Sequence, residues 1–589
     1  MKQFFKMMFA SALGGLVAIG AVILIGTFVL VGIVAAFDSS PEYVPSSGAV
    51  FKLSLNGPLY ETAEENPFDF LSFGEMVSPI AIKDILKAIR AAKENDRIKG
   101  IYLEAGALQG GTASLDIIRR ALADFKTGGK FVVAYGDNYT QGSYYLCSVA
   151  DKIFLNPLGI VDIHGLVSET VFYKGLLRKV GVEMEVFKVG TYKGAVEPFL
   201  LDKLSDENRE QIASYQQGIW SNIVEAIAHS RNLAPDDVQA FANRGHFVSP
   251  AEKTVELGFV DELKYKPEAE EYVKELAGQT GDKLKTAGLG KMKNIKEAPR
   301  KPSAERIAIL YAEGEIMTAS LSSLYGSQLI TEKMAGEIAS LRKDENVKAV
   351  VFRVNSPGGS GYVSEQIWRE VAELKKVKPI VVSMGNVAAS GGYYISCAAS
   401  RIIAEANTLT GSIGVFGTIP NATGLYEKLD VTTEIVKTNT YGDFLDASRP
   451  LRSDEKALMQ NYVEHMYDVF LTRCAEGRGK TKEEIDAIGQ GRVWTGEQAL
   501  ERGLVDALGG LDEAVAAAAE LAGLTDYRLT HTSSSNDFFQ TILGKHLEDL
   551  KLSLVKNAIG EEYKYLKALN DLKHHTGVQM RLLYDIPSL

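Results

Sequence analysis

The chain has 589 residues, with 64 Lys+Arg against 75 Asp+Glu for a net charge of −11, and 46% of its residues are hydrophobic. That composition supports a large buried core, three to five domains or fewer large ones, and excludes disorder as the main state. The acidic balance argues against nucleic-acid binding, which wants a basic face. Three cysteines exclude a disulfide scaffold, and neither C-x-x-C nor H-x-x-x-H spacing occurs, so no zinc site is expected.

From Met7 to Phe37 no residue is charged, and only Ser11 and Thr27 interrupt the apolar run. About 20 such residues cross a bilayer. Lys2 and Lys6 precede the run, and Asp38 and Glu42 follow it. The positive-inside bias then puts the N-terminus in the cytoplasm and everything after residue 38 across the membrane. A cleaved signal peptide is the alternative, with Val34-Ala35-Ala36 as its cleavage site. The run is about twice the usual signal-peptide length, so residues 1–38 are expected to be a cytoplasmic stub and a retained transmembrane anchor.

A shift of 249 residues lays the sequence over itself. Asn95-Asp-Arg-Ile-Lys-Gly-Ile-Tyr-Leu103 falls on Asp344-Glu-Asn-Val-Lys-Ala-Val-Val-Phe352, and Gly142-Ser-Tyr-Tyr145 on Gly391-Gly-Tyr-Tyr394. Asp151-Lys-Ile-Phe154 falls on Ser400-Arg-Ile-Ile403. A period this long is too long for a solenoid and reads as a duplicated domain, 50–263 and 305–523. Residues 264–304 are expected to be a linker carrying a helix near Pro267–Ala277. Residues 525–589 are expected to form a C-terminal helical tail. Its helices should lie over 537–572, where Phe538, Ile542, Leu547, Leu550 and Leu554 share a face, and a strand could follow from Gly577.

Within each half, strand and helix alternate. Ala349–Val354 reads as a buried strand and Ser364–Lys376 as an amphipathic helix with Ile367, Val371 and Leu374 on one face. Pro379–Ser383 is the next strand, Gly391–Ser400 a helix of small residues, and Ile402–Ala404 a further strand. This order predicts an α/β fold with a parallel sheet, whose ligand sites lie at the C-terminal strand ends.

The duplication supplies an internal comparison, because a residue needed by the fold should recur in both halves. Ser390 opens the helix after strand 379–383, where its hydroxyl meets free backbone N–H groups. An N-cap serine would look the same, but the first half has Gln141 there, so the fold does not require serine. Asn355-Ser-Pro-Gly358-Gly359-Ser follows strand 349–354, and such glycines serve a tight turn or an oxyanion hole. No Gly-Lys-Ser/Thr follows, which disfavours a phosphate loop. A serine nucleophile needs a base, and no histidine stands out: His465 lies in a helical stretch, and His164, His229 and His246 lie in the other half. Lys193, among small and apolar residues, falls on Gly442, whereas Lys188 falls on Lys437. Lys188 thus reads as structural. Lys193 reads as a base whose pKa burial can lower by up to about 3–5 units. Each half then holds one partner of a pair.

These residues resemble those of a known family. The motifs are Thr191-Tyr-Lys193-Gly-Ala-Val-Glu-Pro-Phe, Asn355-Ser-Pro-Gly-Gly-Ser360, Ala388-Ala-Ser390-Gly-Gly-Tyr and Leu409-Thr-Gly-Ser412-Ile-Gly-Val-Phe-Gly417. Together they resemble the long, duplicated form of bacterial signal peptide peptidase A, or protease IV, from the anchor to about residue 520. The resemblance implies duplicated Clp-protease/crotonase-like domains and a serine protease with a Ser/Lys dyad. Ser390 would be nucleophile, Lys193 general base and Ser412 the residue that orients the lysine; it faces Ile163 in the other half. Backbone N–H groups of Gly358 or Gly359 and of Gly391 would hold the oxyanion. It further implies cleaved signal peptides and other apolar peptides as substrates, and no metal or organic cofactor. It implies a homo-oligomer, a tetramer among its possible sizes, whose body faces the periplasm from the inner membrane. Two other readings are weighed against this one. A crotonase-type acyl-transfer enzyme would leave the anchor and the Ser390/Lys193 asymmetry unexplained. A non-catalytic membrane scaffold would tolerate alanine at both positions.

Overall fold

The computed structural model describes residues 42–62, 79–295, 305–319, 329–532 and 577–582, with Gly14, Gly15 and Gly20. The apolar run 7–37 and the helices expected over 537–572 lie outside the described residues, those three glycines aside. Among the described residues, no helix is long and apolar enough to cross a membrane.

Each half builds its own parallel sheet. The first runs in the order Ile80–Ala81, Ala49–Tyr60, Ile98–Gln109, Phe131–Gly136, Lys152–Leu155, Glu262–Leu263, with Thr286–Gly288 also on Ala49–Tyr60. The second runs Val493–Thr495, Leu409–Gly411, Ile380–Ala389, Val347–Ser356, Arg306–Glu313, Arg528–Thr532. Arg401–Ala404 joins Ile380–Ala389 there and in turn carries Ala507–Leu508. Among the described residues, only the Leu409–Gly411/Val493–Thr495 pair in this sheet is antiparallel. Helices cover the sheets because their central strands are apolar on both faces, as Val347–Ser356 illustrates with eight buried positions out of ten. The helix expected from Ser364 starts at Gly361, where Ser360 Oγ accepts from the Val363 amide as N-cap, and buries Ile367, Val371 and Leu374.

The stretch 264–304 is largely built into the first half. Helix Lys266–Leu276 packs Ala269 and Val273 beneath the sheet, and Thr286–Gly288 adds an edge strand. Helix Leu511–Ala522 and strand Arg528–Thr532 do the same for the second half. The repeated unit is therefore longer than the matched sequence.

The halves are joined by polar contacts, most of them buried, and by a shared sheet. Arg353 reaches Glu61 at 2.8 Å, Arg120 reaches Glu405 at 2.6 Å, and Asn407 donates to Asp116 at 2.8 Å. The shared sheet runs Leu329–Ile330, Glu315–Ile316, Gly358–Ser360, Gly577–Arg581, Val415–Asn421, Glu183–Val189. Its last strand belongs to the first half and pairs antiparallel with Val415–Asn421 of the second. The strand at Gly577 thus exists, in the body and not in a separate tail.

Candidate active site

Ser390 stands between strand Ile380–Ala389 and helix Gly391–Ser396. Its backbone has φ 55° and ψ −114°, an unfavourable conformation for a residue with a side chain. Two hydrogen bonds hold it there: its amide donates to the Gly411 carbonyl, and its carbonyl accepts from the Tyr394 amide, each at 2.8 Å. The hydroxyl makes no cap hydrogen bond to that helix, and the residue is fully buried.

The first half delivers Lys193 to this hydroxyl. The loop after strand Glu183–Val189 carries the lysine across the boundary between the halves. The Tyr192 amide donates to the Gln490 carbonyl, and Gln211 bridges the Tyr192 carbonyl and the Val493 amide. The Arg492 guanidinium stacks on both Tyr192 and Trp494. A methyl on Gly491, at φ +79°, would stand 2.6 Å from the Lys193 amide nitrogen and 2.7 Å from its Cβ. Only glycine lets the lysine backbone come so close.

Lys193 Nζ donates to Ser390 Oγ at 2.7 Å, to Ser412 Oγ at 3.0 Å and to the Ser412 carbonyl at 3.1 Å. The side chain is 1% exposed. Burial without a neighbouring carboxylate pushes its ammonium down to about 7. Such an amine is partly neutral at physiological pH and can take a proton from a hydroxyl at hydrogen-bond distance.

Gly358 and Gly359 lie beside the serine at φ +98° and +150°. A methyl on Gly358 would fall 2.6 Å from the Gly391 amide nitrogen, and one on Gly391 would fall 3.1 Å from that of Gly359. The three glycine backbones thus close on one another with no room for side chains, and the Gly358 amide donates to Ser356 Oγ at 3.2 Å. All six residues expected from sequence are brought together here.

Among the described residues, the first half has no such site. Gln141 folds back, accepting from the His164 and Gly165 amides and donating to the Gly165 carbonyl. Lys188 lies in the shared sheet opposite Phe416, and Lys437 pairs with Asp443. Gly491, Gln211 and Arg492 were not signalled by sequence. They act on the backbone of the lysine loop from far along the chain, so no local motif marks them.

The Peptidase family S49 profile matches residues 124–280 and 372–525. Protease 4 of Salmonella typhi is 38% identical over 456 residues, which cover 76% of this chain and 73% of that protein. Protease 4 of Haemophilus influenzae is 35% identical, covering 81% of this chain and 79% of that protein. The chloroplastic serine protease SPPA of Arabidopsis thaliana is 33% identical, covering 91% and 77%. Among solved structures, a point mutant of ClpP1 from Listeria monocytogenes is 14% identical, with a TM-score of 0.24 over 35% of this chain and 94% of that one. The chain belongs to peptidase family S49, in the long, duplicated form of signal peptide peptidase A or protease 4, and is a serine protease.

Proposed function

We propose that this protease works through a Ser390/Lys193 dyad and degrades the signal peptides left in a membrane after preprotein cleavage. The observation that carries the dyad is the buried Lys193 amine 2.7 Å from Ser390 Oγ, with no carboxylate to keep it charged. Three groups meet that amine. The Ser412 carbonyl can only accept, so it takes one N–H; Ser412 Oγ takes the second. In the neutral amine the lone pair is then left for the Ser390 hydroxyl. Lys193 takes that proton as Ser390 Oγ attacks the peptide carbonyl, and the N–H groups of Gly391 and of Gly358 or Gly359 hold the oxyanion. The ammonium then protonates the leaving amine, and water, activated by the same lysine, hydrolyses the acyl-enzyme.

The substrate reading rests on the family and on the apolar run 7–37. An anchor there would tether the site to the bacterial inner membrane, on its periplasmic side, where cleaved signal peptides remain. Digestion of synthetic signal peptides by wild type and by Ser390→Ala is the test. Cleavage by wild type alone is the expected outcome, and equal cleavage by both would overturn the dyad.

A homo-oligomer is part of this reading. Strand Glu183–Val189 of the first half pairs with Val415–Asn421 of the second. At the 249-residue shift their counterparts are 432–438 and 166–172. Neither counterpart has a strand partner among the described residues, and Val167 and Val436 are 80% and 94% exposed. Repeating the junction between chains pairs 432–438 of one copy with 166–172 of the next. Such head-to-tail contacts close into a ring where the rotation between copies closes, and run on as a filament where it does not. A tetramer is the size to test by light scattering, with Val436→Pro expected to give monomers by removing a ladder N–H.

A further inference from the structure

Glu197 is a buried carboxylate at the end of the lysine loop, 3% exposed. It points away from the amine, whose hydrogen bonds go to Ser390 and Ser412. Its own partners are neutral donors. Oε1 accepts from Ser205 Oγ at 2.5 Å and from the Asn208 side-chain amide at 2.6 Å, and Oε2 accepts from the Ser205 backbone amide at 3.1 Å. Ser205 is the N-cap of helix Asp206–Arg231, so the carboxylate lies at the positive end of that helix. Asn208 and Gln211 follow on the same face, and both are buried.

A carboxylate only accepts, and that fixes the direction of the hydrogen bonds behind it. The Asn208 NH2 faces Glu197, which turns Asn208 Oδ1 toward Gln211, where it accepts from Gln211 Nε2. Gln211 Nε2 also donates to the Tyr192 carbonyl at 2.9 Å, and its Oε1 accepts from the Val493 amide at 3.0 Å. Turning the Gln211 amide over would set its NH2 against the Val493 N–H and its oxygen against the Tyr192 carbonyl. The chain of amides therefore grips the lysine loop at Tyr192 and at Glu197, on either side of Lys193, and Gln211 ties it to the second half. The second half shows that such a helix does not need this arrangement. Its counterpart is helix Ser453–Arg478, with Arg452 in the place of Ser205, Glu455 in that of Asn208 and Leu458 in that of Gln211. There Glu455 is held by Arg449 and Arg452. The half without the lysine uses ion pairs. The half with it uses neutral amides that end on one carboxylate turned away from the amine.

We propose that Glu197 is a positioning residue for Lys193: by orienting Asn208 and, through it, Gln211, it holds the lysine amine on Ser390 Oγ. It touches neither the substrate nor the reacting atoms. The proposal rests on the dyad reading above, and its test tells the two apart.

Cleavage of a synthetic signal peptide is followed against pH for the full-length enzyme and for Glu197→Gln, Asn208→Asp, the two combined, Gln211→Met and Lys193→Ala. In Glu197→Gln the new NH2 meets a donor, and the chain slackens. Its kcat should fall at least about tenfold with little change in KM, as for a displaced proton acceptor. Its pH midpoint should rise above about 7, because a looser loop lets water reach the amine. A merely structural loss would lower the amount of active enzyme and leave the midpoint in place. Asn208→Asp alone should be at least as damaging, because it sets two carboxylates against each other. The combined variant moves the carboxylate one side chain along and gives every donor an acceptor again, so it should recover both kcat and the midpoint. Gln211→Met cuts only the hold on Tyr192 and Val493, and should repeat the Glu197→Gln shift. An unmoved midpoint in Glu197→Gln and Gln211→Met, or a combined variant no better than the single ones, would overturn the proposal, while an inactive Lys193→Ala would still uphold the dyad. Cleavage by Lys193→Ala would overturn both.

Discussion

Lys193 and Ser390 are 197 residues apart in sequence, lie in different halves of a duplicated chain, and meet at 2.7 Å. Neither half can reproduce this contact. The first has Gln141 in place of the serine, and the second has Gly442 in place of the lysine. The chemistry therefore depends on the seam between the halves as much as on the two side chains.

The serine's backbone predicts a trade of stability for function. At φ 55° and ψ −114°, Ser390 adopts a conformation that glycine tolerates better. Ser390→Gly should be inactive and more stable than wild type, by about 1–3 kcal/mol. Ser390→Ala should be equally inactive without that gain, because Cβ remains. Denaturant unfolding beside peptide hydrolysis checks this. A glycine variant less stable than the alanine one would contradict the strain.

The lysine predicts two pH profiles. Since burial lowers Lys193 to about 7, kcat/KM should rise through that pH as the free base forms. Lys193→Arg keeps its charge at every working pH and should lose at least about 10³-fold. Stability follows from the same shift. Between about 7 and the ordinary value of 10.5 the unfolded chain holds a proton that the folded chain lacks, so wild-type stability rises with pH across that window. Lys193→Met should therefore raise the melting temperature most below pH 7 and lose its advantage near pH 10.5. A pH-independent difference would place the lysine in solvent.

Duplication made much of this legible. Strands recurring at one spacing gave the parallel sheets, and the mismatch of Ser390 and Lys193 with Gln141 and Gly442 pointed to the chemistry. The extent of the repeat was also written in the sequence: Glu275-Leu-Ala-Gly278 lies over Glu520-Leu-Ala-Gly523 at a slightly shorter shift. The charged helix before it reads as a linker, although Ala269 and Val273 carry its buried face. The destination of the strand at Gly577 was not legible. Alternation marks a strand, but its partners are chosen by two edges more than 150 residues away.

Between the halves, Arg353 and Glu61 form an ion pair that is almost wholly buried, with Arg353 also donating to Ser383 Oγ and the Met384 carbonyl. Arg353→Leu should cost about 3–5 kcal/mol, because it leaves a buried carboxylate unpaired. Beside it, Glu313 is already pushed up to about 7, chiefly by burial and then by Glu61. Adding Glu61→Leu should recover much of the loss in chemical denaturation. Equal destabilisation in the single and double variants would show that the hydrogen bonds to strand Ile380–Ala389 outweigh the ion pair.

Gly491 offers the sharpest test of the seam, since it carries no chemistry. Its amide donates to the Ile413 carbonyl at 2.7 Å, and its Cα packs against the Lys193 backbone. Alanine there meets two obstacles: a φ of +79°, and a methyl 2.6 Å from the Lys193 amide nitrogen. The second half is held at this point by the Val493–Thr495 strand pairing, so the lysine loop is the part that yields. A shift of about 1 Å in a catalytic group costs about 10²-fold. Gly491→Ala should therefore lower kcat by about that factor with little change in KM, because the displaced group is the proton acceptor and not a peptide contact. The pH midpoint should also move upward as water reaches the amine and its burial is relieved. Gly414→Ala should act in the same direction but cost less: its methyl would stand 2.9 Å from Gly491 Cα and 3.2 Å from Lys193 Cδ, but Gly414 does not also need a positive φ. Measuring kcat, KM and the pH profile for both variants decides it. Unchanged kcat in Gly491→Ala would mean that the lysine loop is not held by this contact.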